Sequence, residues 1–261
     1  MTAGIYRNLD DINPEERALN RGLFFGESPF TTMKMVDGNI FGLDLHMTRL
    51  EKCVEYLFSV DFLSYKNSVL ELIEKAKEDK GSFYLRVTFT KTLSGKIDFF
   101  LYKDHYQANN SPICLALSKV IKGRGILPSF LKVGNYLEYS RELSEREDCN
   151  ELVYEDFDGN ILESGVSNIF IVNEKVVYTP RLRSGVLDGV MRQTLIQFLA
   201  KENLAFKEVD FSKDLLETCS EIWLTNGLRG VRVVEKYHDM NLSSAYWESL
   251  SVRFNEFCEK L

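Results

Sequence analysis

Three groups in one stretch of this chain could together do carbonyl chemistry: an amine at Lys132, a carboxylate at Glu163, and a glycine-led turn at Gly189, Val190 and Met191. They lie in "LKVGNYLEYSREL", "ILESGVSNIFIV" and "SGVLDGVMRQTL", in that order. A lysine amine can hold an aldehyde and move a proton. A carboxylate set against a ring nitrogen favours its protonated form, and the N–H groups that open a helix bind phosphate. Singly, each has an ordinary reading: a solvated lysine, a polar strand end, an Asp-Gly turn. Together they could supply what a phosphorylated heteroaromatic aldehyde would need in order to be held.

The elements that position these groups follow from periodicity. Residues 20–43 read as two strands that turn at Asp37-Gly38-Asn39. Leu50, Cys53, Val54 and Leu57 recur at helical spacing, which predicts a helix from Asp44, its cap, to Ser59. Val69, Leu72, Ile73 and Ala76 predict a second, from Lys66 to Asp79, with Gly81 past its end. "SFYLRVTFTK" alternates, with Phe83, Leu85, Val87 and Phe89 on one face and Tyr84, Arg86, Thr88 and Thr90 on the other. "KIDFFLYK" and "PICLALSKVI" are further strands, and "KGRGILPS" (122–129) reads as a linker. After Lys132 the chain is helix-compatible to about Asp148. Hairpins then turn at Asp158-Gly159 and at Asn173-Glu174-Lys175, the first placing Glu163 at the end of its second strand. A helix from Gly189 to about Asn203, two strands around Asn226-Gly227 and a closing helix from Ser244 complete the chain. The expected domains are 1–115 and 126–261, joined by a linker at 116–125.

Composition bounds the function. At 261 residues, 44% hydrophobic and 27% charged, the chain is that of an ordinary globular protein of one or two domains. A formal net charge of -7 with no basic block argues against nucleic acid as a partner. No apolar run is long enough to span a membrane, and "MTAGIYRNLDDINPEER" lacks the basic-then-apolar pattern of a signal peptide, so the cytoplasm is expected. The five cysteines are scattered with no Cys-x-x-Cys pair, and His46, His105 and His238 are isolated, so neither a disulfide framework nor a metal site is expected.

The motifs Lys-x-x-Asn-Tyr-Leu (132–137), Glu-x-x-x-Ser-Asn-Ile-Phe (163–170) and Gly-Val-Leu-x-Gly-Val-x-Arg (185–192) resemble those of the class IV (fold type IV) pyridoxal phosphate enzymes. The likeness runs from about Arg21 to about Val234. It implies a two-domain α/β fold, a smaller N-terminal α/β sandwich and a larger C-terminal barrel-like α/β domain, with pyridoxal 5'-phosphate in the cleft between them. By that resemblance Lys132 holds the cofactor and moves the proton, Glu163 faces the pyridine nitrogen and Leu187 packs on the ring. Arg49, Asn168, Asn226 and the backbone at Gly189, Val190 and Met191 complete the cofactor set, and a homodimer acting on a small molecule is implied.

Departures from the family concern substrate. "GESPF" (26–30) stands where Gly-Asp-Gly-x-Phe is usual, and Lys91 replaces a common arginine. Phe30, Arg86 and Arg229 are the substrate-binding candidates, the arginines as carboxylate partners. Of Thr31 and Thr32, strand alternation turns one inward, and Thr32 is taken as the one that approaches the cofactor. "FTTMK" (30–34), "VVYTPRL" (176–182) and "TNGLRGV" (225–231) resemble the aminodeoxychorismate lyase branch, which eliminates pyruvate to leave 4-aminobenzoate, a folate precursor. The alternatives are a branched-chain or D-amino acid aminotransferase and, since Glu27, Ser28 and Pro29 have drifted, a non-catalytic binding protein on the same fold.

Overall fold

The structure is a computed structural model that describes residues 4–7, 12–122, 127–183 and 185–260. The chain divides into two compact units, Met1–Ala108 with Phe130–Asn135, and Asn109–Ser129 with Tyr136–Leu261. The segment that carries Lys132 thus groups with the first unit, not with the C-terminal domain expected from 126 onward.

The first unit holds β1 (Gly4–Arg7), α1 (Pro14–Ala18), α2 (Arg21–Phe25), β2 (Phe30–Val36), β3 (Asn39–Ile40), α3 (Leu43–Phe58), α4 (Leu63–Lys77), β4 (Ser82–Lys91) and β5 (Ile97–His105). Its strands form one antiparallel sheet in the order β1-β5-β4-β2-β3. The β2–β3 turn places Asp37 and Gly38 at positive φ, 50° and 85°, the conformation a two-residue hairpin requires. Met33 and Met35 of β2 and Phe83, Leu85, Val87 and Phe89 of β4 form a core with Leu50 and Val54 of α3 and Val69 and Ile73 of α4. The register sets Thr32 opposite Arg86, and Arg86 opposite Tyr102, so these three share the other face of the sheet, where alternation also puts Phe30.

Two expectations fail here. Residues 21–25 form a short helix rather than a strand, because Asn20 Oδ1 accepts from Leu23 N and Gly26 closes the turn at φ 72°. Helix α3 begins one residue before Asp44, with Gly42 in the left-handed region as its N-cap and no side-chain cap bond. Thr90 lies on the face of β4 opposite the core and is covered there, its hydroxyl donating to Asn20 Oδ1 and accepting from Gly22 N.

The second unit holds β6 (Cys114–Leu117), α5 (Leu137–Ser144), β7 (Glu151–Glu155), β8 (Ile161–Ser164), β9 (Asn168–Asn173), β10 (Val176–Thr179) and α6 (Val190–Lys201). It continues through β11 (Phe206–Glu208), α7 (Lys213–Thr218), β12 (Glu221–Asn226), β13 (Gly230–Val233), β14 (Lys236–Tyr237), β15 (Met240–Asn241) and α8 (Ala245–Cys258). One sheet runs β11-β10-β9-β12-β13 and a second runs β15-β14-β6-β7-β8. Leu115, Val153 and Ile161 of the second sheet share a core with Ile169, Ile171, Ile222 and Leu224 of the first. Phe198 of α6 packs edge-on against Phe254 of α8 at 5.2 Å. Strand β6 occupies the start of the segment read as a linker, and residues 123–126, with both glycines of that segment, lie outside the described residues. Among the described residues no helix is long and apolar enough to cross a membrane.

Candidate active site

Backbone bonds fix the Lys132 segment to the first unit. Phe30 N donates to Lys132 O at 3.0 Å, and Pro29 bridges Val133 in antiparallel fashion. Behind it, the Cys53 thiol of α3 donates to Phe130 O at 3.1 Å and accepts from Lys132 N at 3.5 Å. Burial pushes that thiol up, away from thiolate character. Lys132 Nζ stands 4.6 Å from the Phe30 ring centroid, and the Arg86 guanidinium lies over the same ring at 3.6 Å. Arg86 Nε donates to Thr88 Oγ1 at 3.1 Å, and among the described residues no carboxylate lies within ion-pair distance of this arginine. A Cβ at Gly134 would come within 3.0 Å of Ser28 Oγ and 3.5 Å of Arg86 Nη2, so glycine lets the lysine segment pass close to the arginine.

The two threonines divide between the faces of β2. Thr31, not Thr32, is the one turned into the core: it is fully buried, its hydroxyl 2.7 Å from His46 Nδ1 and 3.2 Å from Arg49 Nη2, which donates to it. Thr32 stands on the Phe30 and Arg86 face. His46 is therefore not isolated, as its sequence context suggested. Burial first, then the Arg49 and Lys132 charges, hold its imidazole well below the usual histidine range. The signal was available, since His46 precedes Arg49 by three residues and so shares its helix face.

In the second unit, Glu163 lies on β8, and its Oε2 accepts from Leu187 N at 2.7 Å and from Asn168 Nδ2 at 3.1 Å. Asn168 Nδ2 also donates to Leu187 O at 2.7 Å, which locks the carboxylate to the segment entering α6. Two N–H donors favour the ionised acid. Gly189 is the N-cap of α6, in ordinary extended backbone, and no side chain caps the helix. The first N–H groups, those of Val190 and Met191 among them, have no acceptor within the helix, and its positive dipole end is there. A Cβ on Gly189 would overlap Asn168 Oδ1, so the approach of β9 to this helix end needs glycine.

Asn226 ends β12, and both ends of its amide are engaged within the unit. Nδ2 donates to Ser167 Oγ at 3.0 Å, while Oδ1 accepts from Leu228 N and Arg229 N, building the turn. Arg229 is exposed and lies within electrostatic reach of Glu151, a buried acid pushed up by burial and pulled back first by the Leu152 N–H, which donates to Glu151 Oε1 at 3.2 Å, and then by the Tyr139 hydroxyl and that arginine. The two candidate arginines therefore differ among the described residues: Glu151 lies within electrostatic reach of Arg229, and no carboxylate lies within ion-pair distance of Arg86. Sequence reasoning missed this Glu151 and Tyr139 network, because Glu151 stands at a strand start where polar residues are ordinary.

These residues suit pyridoxal phosphate. Taken unit by unit, the first has an amine and a guanidinium that suit an aldehyde and a phosphate, and the second has a carboxylate that accepts from two N–H donors, suited to a pyridine nitrogen, and an uncapped helix start, suited to a phosphate.

Among curated proteins, the chain is 27% identical over 94% of its length to an aminodeoxychorismate lyase of Bacillus subtilis (strain 168), spanning 89% of that protein. It is 22% identical over 79% of its length to a D-alanine aminotransferase of Bacillus licheniformis, spanning 77% of it. Its fold is like that of an aminotransferase from Brucella abortus solved with the cofactor PLP, at a TM-score of 0.77 and 18% identity, covering 94% of this chain and 98% of that one. The fold is thus that of the fold type IV pyridoxal phosphate enzymes. The family model for amino-transferase class IV matches residues 28–237, most of the sequence, and the chain belongs to that family.

Proposed function

We propose that this protein is a pyridoxal phosphate-dependent lyase that converts 4-amino-4-deoxychorismate to 4-aminobenzoate and pyruvate. The observation that carries the reading is Glu163, held by Leu187 N and Asn168 Nδ2 beside the uncapped start of α6. The lyase relative, matched at higher identity and over more of the chain than the D-alanine aminotransferase, supports elimination over amino transfer.

Bound pyridoxal phosphate supplies an electron sink for bonds broken at the amine-bearing carbon of the substrate. Lys132 Nζ would hold the cofactor's aldehyde carbon and, as a free amine, would take the proton from that carbon of the substrate. Glu163, which accepts from Leu187 N and Asn168 Nδ2, would favour a protonated ring nitrogen. The Val190 and Met191 N–H groups and Arg49 would hold the phosphate. Leu187 packs on the ring, and Asn226 shapes the turn next to the phosphate site. Arg86, stacked on Phe30 and fixed by Thr88, meets a substrate carboxylate, and Thr32 on the same face approaches the reacting end. Enolpyruvate then leaves the neighbouring carbon, the ring becomes aromatic, and the enol is protonated to pyruvate. The active form is a homodimer in this reading, which light scattering checks.

The test is turnover. Purified protein loaded with cofactor should release 4-aminobenzoate and pyruvate from aminodeoxychorismate over many cycles with no 2-oxo acid added. A second reading, a class IV aminotransferase, is favoured by the D-alanine aminotransferase relative. It is adopted if an ordinary amino acid converts the cofactor stoichiometrically to its amine form and only a 2-oxo acid restores it.

A further inference from the structure

The chain of contacts His46, Thr31, Arg49 has a fixed direction. A guanidinium has donors only, so at 3.2 Å Arg49 Nη2 donates and Thr31 Oγ1 accepts. The single hydroxyl hydrogen of Thr31 then finds an acceptor 2.7 Å away at His46 Nδ1 when that nitrogen is unprotonated; were Nδ1 protonated it would donate instead, and the hydroxyl hydrogen would have no acceptor among the described residues. A neutral ring that accepts at Nδ1 carries its proton on Nε2. His46 Nε2 is buried and has no hydrogen-bond partner among the described residues, so none of them competes on that side for the tautomer or the ring's orientation. An imidazolium would reverse the contact: Nδ1 would donate to Thr31, whose oxygen would then accept twice while its hydrogen lost this acceptor. His46 and Thr31 are 1% and 0% exposed, and Arg49 is 7% exposed, so the relay is shielded from water from end to end.

From this we infer that His46 is a positioning residue for Arg49: the Nε2–H tautomer fixes the Thr31 hydroxyl, and that hydroxyl fixes how the guanidinium is turned toward an anion. It rests on the proposed reading that Arg49 takes the cofactor phosphate. His46 touches neither cofactor nor substrate in this role. Its contribution is to the phosphate end of the cofactor alone.

Binding to the apoprotein separates this from a merely structural part. Affinities for pyridoxal phosphate and for pyridoxal, which lacks the phosphate, are titrated by absorbance. His46→Leu should weaken pyridoxal phosphate roughly five- to tenfold, the worth of one neutral hydrogen bond, and leave pyridoxal unchanged. His46→Asn, whose carbonyl oxygen can stand where Nδ1 does, should recover affinity to within about twofold. Thr31→Val removes the middle of the relay without touching the imidazole, so it should show the same selective loss and serves if His46→Leu does not fold. Combining the two should add nothing. Nitrogen-15 NMR of histidine-labelled protein should show the His46 ring unprotonated at Nδ1.

Unchanged phosphate selectivity in folded His46→Leu or Thr31→Val, equal weakening of both ligands, or an Nδ1–H or imidazolium ring would overturn the inference. Arg49→Met tells its failure from that of the underlying reading. If Arg49→Met keeps the preference for the phosphorylated ligand, Arg49 does not hold the phosphate and both ideas fall. If it abolishes the preference while the His46 and Thr31 variants retain it, only the positioning role falls.

Discussion

Replacing Gly189 by alanine tests whether the start of α6 is packed as tightly as the structure has it. The backbone there, φ -73° and ψ 139°, suits alanine, so any penalty is steric rather than conformational. The added Cβ would occupy the place of Asn168 Oδ1, and the amide must move. Asn168 Nδ2 then loses a bond to the Glu163 carboxylate and one to Leu187 O. With a charge-assisted and a neutral hydrogen bond at stake, less a small gain from restricting the unfolded chain, the net loss should be about 2–4 kcal/mol. Both tryptophans, Trp223 and Trp247, lie in the second unit, so guanidinium unfolding followed by their fluorescence reads this unit directly. In an Asn168→Ala background the side chain that clashes is gone, and Gly189→Ala should cost no more than about 0.5 kcal/mol. A loss of that small size in the wild type, or a full loss that persists in the Asn168→Ala background, would refute the packing argument.

Lys132→Ala should abolish turnover while leaving the tryptophan-monitored transition where it was, since the side chain is only partly buried; residual turnover by the purified variant would sink the assignment. Arg86→Met should raise KM roughly tenfold or more, the worth of a charge-assisted contact of about 1.5–3 kcal/mol, with cofactor affinity unchanged. An unaltered KM would remove Arg86 from the substrate site. His46 also gives stability a pH dependence whose sign follows from its lowered pKa. Below about pH 6.5 the unfolded chain binds a proton there that the folded protein does not, so stability present above that pH falls as pH drops, by at most about 1.4 kcal/mol per unit from this group. The stability difference between wild type and His46→Leu, from urea unfolding by circular dichroism at pH 7.5 and 5.5, should shift against the wild type at the lower pH. A constant difference would mean that His46 titrates alike in both states.

Long periodic elements were legible in the sequence. The stripe of α4 and the alternation of β4 put Val69, Ile73, Phe83 and Phe89 in the core as their spacing required, and the turns at Asp37-Gly38 and Asp158-Gly159 carry the positive φ at glycine that marks them. Short elements were not. Strands β14 and β15, two residues each, offer no period to detect. The Asn20 cap and Gly26 stop of α2 outweighed a run of apolar residues that reads equally well as strand. At the site, residue identities came from motif spacing, but the commitments of individual atoms did not. Nothing in the order of letters reveals that both ends of the Asn226 amide are engaged, that Glu151 lies within electrostatic reach of Arg229, or that Thr31 closes a relay to a histidine fifteen positions on.

The return of Phe130–Asn135 to the first unit bears on how the protein is made. The five strands of that unit are complete by His105, yet the edge of the sheet at Pro29 and Phe30 waits for Val133 and Lys132, which are synthesised only after the chain has passed through the strand Cys114–Leu117 of the other unit. Seating the lysine is therefore a late, long-range closure, and its entropic cost rises only slowly with the length of the excursion. Substitutions that weaken the Pro29, Phe30 and Cys53 contacts should spare the early collapse of the sheet and helices and act at the last stage of assembly. A chain severed after Ala108 would separate the lysine from the strand and helix that receive it, so the two pieces could hold a cofactor only by reassembling.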